Sequence, residues 1–333
     1  MPSILRFLVP AFILAVHAVS NGPTADGDES FPLTAKRILF LGDSITAAGE
    51  YVNMIELQLR LQSSHSVPEI INIGLPSEGC TGLSEPAHPF PRPNVHERLE
   101  RALAAVKPDV VVACYGMNDG IYFPFSESRF QQYQDGINLL IKKVHSSGAK
   151  LVLLTPPPFD ALPLHDAGKL LPDGRDDYAW FSIYENYDQV IAKYAQWLLL
   201  QKDRVEMVVD LHTPITEFWN SQRKTNPKFT VAPDGVHCDT NGHRSIAEVV
   251  LKAWGISSMV PVTPEMTELI NQKGTVIHDS WLSHVGHKRP GVAPGLPPNE
   301  AELKAAEIDG RLTPLIDFAR QKNSILPGGR SSR

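Results

Sequence analysis

Four short blocks in this sequence carry side chains that could do chemistry together. Ser44 lies in Gly42-Asp43-Ser44-Ile45-Thr46, directly after the apolar run Ile38-Leu39-Phe40-Leu41, and His237 closes Asp234-Gly235-Val236-His237 near the far end. Between them stand Asn72-Ile73-Gly74 and Gly116-Met117-Asn118-Asp119. A serine hydroxyl is a poor nucleophile until a base takes its proton, and His237 is the natural base. Asp234, three positions earlier, can accept from the other imidazole nitrogen and fix its tautomer. Gly74 has no side chain to shield its N–H, and Asn118 offers an amide donor. With the Ser44 N–H they make a candidate oxyanion hole for attack on a carbonyl carbon.

Each block alone is weak. A Gly-Asp-Ser tripeptide arises by chance in roughly one chain in ten of this length. Gly74 alone would end a strand, Gly116-Met117-Asn118-Asp119 would be a turn with a helix cap, and Asp234-Gly235 is a turn signal. The joint occurrence, in this order and each at the end of an expected strand, changes the balance.

The positioning elements follow from pattern. Near-continuous Val/Ile/Leu runs predict buried parallel strands at Arg37–Leu41, Glu69–Ile73, Asp109–Tyr115, Lys150–Thr155 and Val205–Leu211. Helical periodicity is expected over Tyr51–Gln62, Val95–Val106, Glu127–Ser146, Ile183–Leu200 and Asn241–Trp254. Strands alternating with helices imply an α/β class, a doubly wound, flavodoxin-like sheet of about five parallel strands. Ligands bind beyond the carboxyl ends of such strands, where Ser44, Gly74 and Asn118 all fall. The connection Pro156 to Phe181 is long enough to shape a site on that edge.

In their order the four blocks resemble the SGNH (GDSL-type) hydrolase superfamily, over roughly Arg37 to Trp254. The resemblance implies Ser44 as nucleophile, His237 as general base, Asp234 as its orienter, and Gly74 with Asn118 completing the oxyanion hole. It implies ester or thioester hydrolysis through an acyl-enzyme, with no metal and no cofactor. One departure is the second block, where Gly79 follows Gly74 by five positions, a longer glycine spacing than many members show. Asp43, and the aromatics Tyr122 and Phe123 that follow the Asn118 loop, are candidate substrate contacts; loop packing is the competing reading for the aromatics, and for Phe125 beside them.

Composition bounds the rest. The chain has 333 residues, 42% hydrophobic and 20% charged, with net charge −6, which fits a globular α/β domain with an extension. No Lys/Arg cluster points to nucleic acid or an anionic membrane as partner. Arg6 followed by an apolar run to Val16, then Ala18-Val19-Ser20, reads as a signal peptide over residues 1–20 cut before Asn21. A run of that length is too short to span a bilayer, so export (secreted or periplasmic) without stable membrane insertion is expected. A polar leader (21–36) precedes a hydrolase domain (37–260). A C-terminal helical extension (261–333) of unassigned role follows, with a short amphipathic helix at Asn299–Asp309 and a frayed end at Pro327–Arg333.

Three cysteines are too few for a disulfide scaffold: Cys114 reads as a core thiol, while Cys80 and Cys238 are either a bridge or two free thiols. His278, His284 and His287 with Asp279 match no zinc spacing and read as a surface cluster. His243 belongs at a helix start, Asp173, Arg175, Asp176 and Asp177 in a solvated loop, and Tyr184, Tyr187, Tyr194 and Trp197 in helical core packing. The reading is an exported serine esterase of short-chain, acetyl-type esters on carbohydrate, its partner a small-molecule or polysaccharide ester substrate. The alternatives are a lysophospholipase or thioesterase acting on lipid, and a polysaccharide-binding protein on the same fold.

Overall fold

The computed structural model describes residues 31–63, 66–165 and 167–325. The expected signal peptide (1–20), most of the expected polar leader and the end from Pro327 lie outside the described residues. In chain order the strands are β1 (Arg37–Gly42), β2 (Glu69–Asn72), β3 (Val110–Cys114), β4 (Lys150–Leu154), β5 (Leu170–Leu171), β6 (Ile183–Tyr184) and β7 (Met207–Val209). The helices are α1 (Ser44–Ala47), α2 (Glu50–Gln62), α3 (Leu99–Val106), α4 (Glu127–Ser146), α5 (Leu162–His165), α6 (Tyr187–Leu199), α7 (His212–Arg223), α8 (Thr240–Ala253), α9 (Pro264–Val285) and α10 (Pro298–Ile325).

Five strands form one parallel sheet in the order β2-β1-β3-β4-β7, the flavodoxin-like arrangement expected from the strand–helix alternation. Strand parity explains why both faces are apolar. Leu39, Leu41, Val111, Ala113, Leu151 and Leu153 face one way, against α3, α4 and α6. Ile38, Phe40, Val110, Val112, Val152 and Leu154 face the other way, against α2, α7 and α8. The winding of the parallel sheet reverses between β1 and β3, so the loops leaving these two neighbours open a crevice at the carboxyl edge. Ser44 follows β1 and Asn118 follows β3.

Helix starts obey side-chain capping. Asp43, Ser126, Asp239 and Thr263 each accept a backbone N–H from the first turn of α1, α4, α8 and α9, and Pro264 opens α9 where no N–H is needed. Tyr187 and Tyr194 of α6 are buried in the core, as their helical spacing predicts. The helix expected from Ile183 begins four residues later, because Ile183 and Tyr184 instead pair with Leu170 and Leu171 in the small β5–β6 ribbon. His243 lies in the first turns of α8, buried and stacked on Tyr51 at 6.2 Å.

α7 forms in a stretch to which the sequence reading assigns no element, and α9 is a long helix within the segment read only as a helical extension. α10 runs 28 residues rather than the short helix expected at Asn299–Asp309. α9 and α10 pack on the outer face of α2, burying Leu57, Leu61, Met266, Leu269, Ile270, Ile308, Leu312 and Ile316 in a third apolar cluster. Each such side chain contributes on the order of 2 kcal/mol of transfer free energy. Lys273 ties the three helices together, reaching Glu56 Oε1 at 2.5 Å and Asp309 Oδ2 at 3.2 Å. Among the described residues no helix is long and apolar enough to cross a membrane.

The three cysteines are free. A Cys80–Cys238 bridge is ruled out by topology: Cys80 packs in the α3/α4/α6 layer and Cys238 against the α2/α7/α8 layer, on opposite faces of the sheet.

Candidate active site

The chain bends sharply after β1. A Cβ on Gly42 would stand 2.9 Å from the Cys114 carbonyl, so the turn needs glycine. Asp43 then caps α1 by accepting from Ile45 N–H at 2.9 Å, which presents Ser44 half-buried at the crevice. Ser44 Oγ lies 2.8 Å from His237 Nε2, and His237 Nδ1 lies 2.7 Å from Asp234 Oδ2. Three side chains from the two ends of the sequence therefore form one hydrogen-bonded line.

The His237 loop shapes itself. Asp234 Oδ1 accepts the backbone N–H of Val236 and His237 at 3.0 and 2.7 Å, an Asx-type turn. Gly235, at φ 82°, runs so close to the Asp160 carbonyl that a Cβ there would stand at 2.7 Å. Asp160 in turn holds Arg223 and Thr230, each at 2.6 Å. The connection after β4 thus moors the histidine loop. Hydrogen bonding to Asp234 raises the His237 pKa above its ordinary value, against partial desolvation. Partial burial opposes ionisation of Asp234, but the ring and backbone donors of His237 outweigh it and hold the carboxyl at about 2. Both side chains remain about half exposed, 54% and 55%.

Asn118 sits in a different environment, almost wholly buried at 4% exposure. Its Oδ1 accepts from Arg92 Nη1 at 2.8 Å and Tyr122 Oη at 3.0 Å, and its Nδ2 donates to the Glu78 carbonyl at 3.0 Å. An amide nitrogen has two N–H groups, so one remains for a ligand. Two buried ion pairs stand behind it. Arg92 makes a bidentate pair with Glu85, and Arg98 one with Glu78, whose carboxylate also accepts from Tyr115 at 2.6 Å. None of Arg92, Glu85, Glu78 or Arg98 was singled out by sequence reasoning. The one signal was that Glu78, Glu85 and Arg92 lie in an aperiodic, Pro-rich stretch on the ligand edge, while Arg98 follows in the helical pattern at Val95–Val106.

Gly74 differs from expectation. Its N–H, assigned from sequence to the oxyanion hole, donates instead to Asn72 Oδ1 at 2.8 Å. The glycine is required by packing: an added Cβ would lie 2.5 Å from the Ala47 nitrogen of α1. Among the described residues, the Ser44 N–H and the Ser77 N–H have no protein acceptor. Ser77 is left-handed at φ 68°, a conformation costing about 1 kcal/mol that clusters at functional sites, and its carbonyl lies 3.4 Å from Arg92 Nη1.

Of the three candidate substrate contacts, Tyr122 is buried with its hydroxyl on Asn118, and Asp43 is buried beneath the nucleophile turn. Tyr122 positions the amide rather than meeting solvent. Phe123 packs edge-on against Tyr178 at 5.0 Å, the loop-packing alternative. Trp180 and Phe181, at the end of the long connection after β4, do face solvent, 51% and 48% exposed, and the Trp180 N–H reaches Glu85 Oε1 at 3.3 Å. Burial pushes the Asp43 carboxyl up to about 7, although the Ile45 N–H and the nearby His237 pull it down. The C-terminal histidines do not converge. His278 meets Asp279 and the Gly74 carbonyl, His284 contacts Trp281, and His287 Nδ1 accepts from Arg289 N–H. Among the described residues no group of three or more His, Cys, Asp or Glu side chains could hold a metal ion.

Comparison with known proteins identifies a family. The model of the GDSL-like lipase/acylhydrolase family matches residues 40–245. Among solved structures, a gut microbial diltiazem-metabolizing enzyme aligns with TM-score 0.50 and 19% identity over 66% of this chain and 47% of its own. This chain thus spans about half that enzyme's length. An acetyl xylan esterase aligns with TM-score 0.45 and 21% identity over 65% of this chain and 98% of its own. The psychrotrophic esterase EstA from Pseudoalteromonas sp. aligns with TM-score 0.40 and 16% identity over 66% of this chain and 99% of its own. No curated protein matches the sequence.

Proposed function

The chain belongs to the GDSL-like lipase/acylhydrolase family, as an SGNH serine hydrolase, and from that premise we propose that it is an exported esterase in which Ser44, His237 and Asp234 act as the catalytic triad. The observation that carries the proposal is the unbroken Asp234–His237–Ser44 hydrogen-bond line, with 2.7 and 2.8 Å links. His237 takes the Ser44 proton as Oγ attacks the ester carbonyl, and Asp234 stabilises the imidazolium. The oxyanion is met by the Ser44 N–H and the free Asn118 Nδ2–H, with the Ser77 N–H as candidate third donor where Gly74 had been expected. His237 then protonates the leaving alcohol and activates the water that frees the acid.

The substrate we propose is a short acyl ester, of the acetyl type, on a carbohydrate. The aromatic support for this moves from Tyr122 and Phe123 to Trp180 and Phe181, two exposed rings that offer apolar faces for a pyranose ring; the backbone N–H of Trp180 donates to Glu85, which pairs with the Arg92 that donates to Asn118. Export rests on the segment ahead of Asn21; N-terminal sequencing of the mature protein checks it.

Hydrolysis of p-nitrophenyl esters from acetate to palmitate, with Ser44→Ala alongside, tests the reaction. Activity peaking at acetate and absent in the variant is the expected result. A rise toward long chains would move the assignment to lipid substrates. Folded protein inert to every ester would overturn the esterase reading in favour of a binding protein.

A further inference from the structure

The segment past Pro261 lies outside the family match, yet one of its side chains reaches the floor of the site. His278, on α9, places Nε2 2.9 Å from the carbonyl oxygen of Gly74, with Nδ1 2.9 Å from Asp279 Oδ1. The ring is mostly enclosed, its side chain 13% exposed. A ring whose Nε2 carries hydrogen donates to that carbonyl.

The peptide it holds is central to the nucleophile turn. The Gly74 carbonyl and the Leu75 N–H belong to one peptide plane, and Leu75 N–H donates to the Gly42 carbonyl at 2.9 Å, at the end of β1 immediately before Asp43 and Ser44. Gly74 has a second route to the same turn. Its N–H bonds Asn72 Oδ1 at 2.8 Å, and Asn72 Nδ2 donates to the Thr46 carbonyl of α1 at 2.7 Å. Donation to one end of a peptide group strengthens the bond made by its other end. His278 therefore holds the peptide that bonds the entry of the Ser44 turn, and its exit is reached through the preceding peptide and the Asn72 amide.

α9 itself is held. Asn53 of α2 donates to Asn271 at 3.0 Å, Lys273 bridges Glu56 and Asp309, and Arg101 donates to the carbonyls of Val285 and Gly286 at 3.0 and 3.2 Å. The apolar cluster with α2 and α10 seats the helix on the same elements.

We infer that His278 is a positioning residue for Ser44, and that the C-terminal helix pair is the brace through which the turn after β1 is held in attacking geometry. The inference rests on the esterase reading only for its kinetic consequence; the hydrogen-bond relay stands independently of it.

The test uses His278→Ala, His278→Asn and His278→Gln in the full chain. A glutamine places its amide nitrogen about where Nε2 stands and can still donate to Gly74; an asparagine places its amide about where Nδ1 stands and cannot. Two readouts are compared: kcat and KM on p-nitrophenyl acetate per site titrated with a fluorophosphonate, and amide exchange at Leu75. Per titrated site, the Ala and Asn variants should lose about 10-fold in kcat with KM within 2-fold, while Gln stays within 2- to 3-fold of wild type. Leu75 protection should fall about 10-fold in Ala and Asn, hold in Gln, and be unchanged in β3. Equal Leu75 protection in all four proteins, or losses shared by Gln, would overturn the inference. A wild-type chain that neither hydrolyses esters nor takes the fluorophosphonate would sink the esterase reading, while the Leu75 exchange still decides the brace.

Discussion

The two arms of the site are built to opposite specifications. On one arm His237 and Asp234 stand about half in solvent on a loop that makes its own turn, and the 2.7 Å contact between them moves their pKa values apart. On the other arm Asn118 is enclosed, three hydrogen bonds fix its amide, and two buried ion pairs fix the groups that make those bonds. The difference follows from the work proposed for each. A base must give its proton to a leaving group and recover one from water, so it needs access and a pKa that solvent can reach. A donor to a developing oxyanion does no proton transfer; its value lies in being aimed before the charge appears, and burial makes that aim worth more. Exposed chemistry with buried aim is the division of labour.

That contrast makes separable predictions. The largest is on the exposed arm. Asp234→Asn keeps Oδ1 for the Val236 and His237 N–H groups but removes the anion facing Nδ1. It should lower kcat by about 10⁴ while leaving the thermal midpoint within a few degrees. Paired kinetics and melting curves check this, and near-wild-type turnover would sink the assigned triad. On the buried arm, Asn118→Ala should cost about 10²–10³ in kcat. Here folding should suffer too, because Arg92, Tyr122 and the Glu78 carbonyl all lose a partner.

The next prediction separates aim from stability within the buried arm. Arg92→Met leaves Glu85 charged and enclosed, which should destabilise by about 3–5 kcal/mol. Adding Glu85→Leu removes the orphaned charge and should restore most of that loss. It should not restore the Asn118 amide's third hydrogen bond, so kcat of the double variant should stay about 10-fold low. Chemical denaturation and initial rates on both proteins decide it; full recovery of kcat with stability would mean Arg92 serves folding alone.

The two arms were unequally legible in the sequence. The sheet could be read because parallel strands covered on both faces must be continuously apolar, and Ile38 to Leu41 or Val110 to Cys114 allow little else. Ser44, His237 and Asp234 could be read because a serine after an apolar run and a histidine three positions past a carboxylate are chemically distinctive, although only Ser44 follows a strand and the other two lie in the loop between α7 and α8. The buried arm could not. Arg92 and Glu85 lie in a connection without periodicity, and nothing local distinguishes an enclosed ion pair from two solvated charges. Gly74 misled for a related reason. Its lack of a side chain suggested an open N–H, but what glycine supplies is clearance beneath Ala47, while Asn72, two residues earlier, takes the N–H. The bounds of α9 were not legible within the helical extension because its apolar residues serve two surfaces, α2 with α10 on one side and the α3 layer on the other, which blurs any single stripe.

Asp43 is where the arms meet, and it yields the smallest expected effect. Its carboxyl is buried, capping α1, and it feels the His237 ring of the exposed arm and Arg92 and Asp119 of the buried one. Burial dominates and pushes its pKa up to about 7 from 3.8. The native state therefore holds this proton to higher pH than the unfolded chain does, so the Asp43 contribution falls as pH climbs from about 4 to about 7. Asp43→Asn keeps a cap acceptor and removes the titration. Its stability relative to wild type should rise across that window and level off above it. At about 1.4 kcal/mol per pKa unit the full shift bounds the gain at about 4 kcal/mol, and relaxation around the carboxylate should leave it nearer 1. Denaturation midpoints of the two proteins at pH 4 and pH 8 measure the gap. A gap that does not widen would mean the carboxylate is as well solvated in the fold as out of it. The nucleophile turn would then belong electrostatically to the exposed arm, and the boundary between the two would run through Asn118 rather than through Asp43.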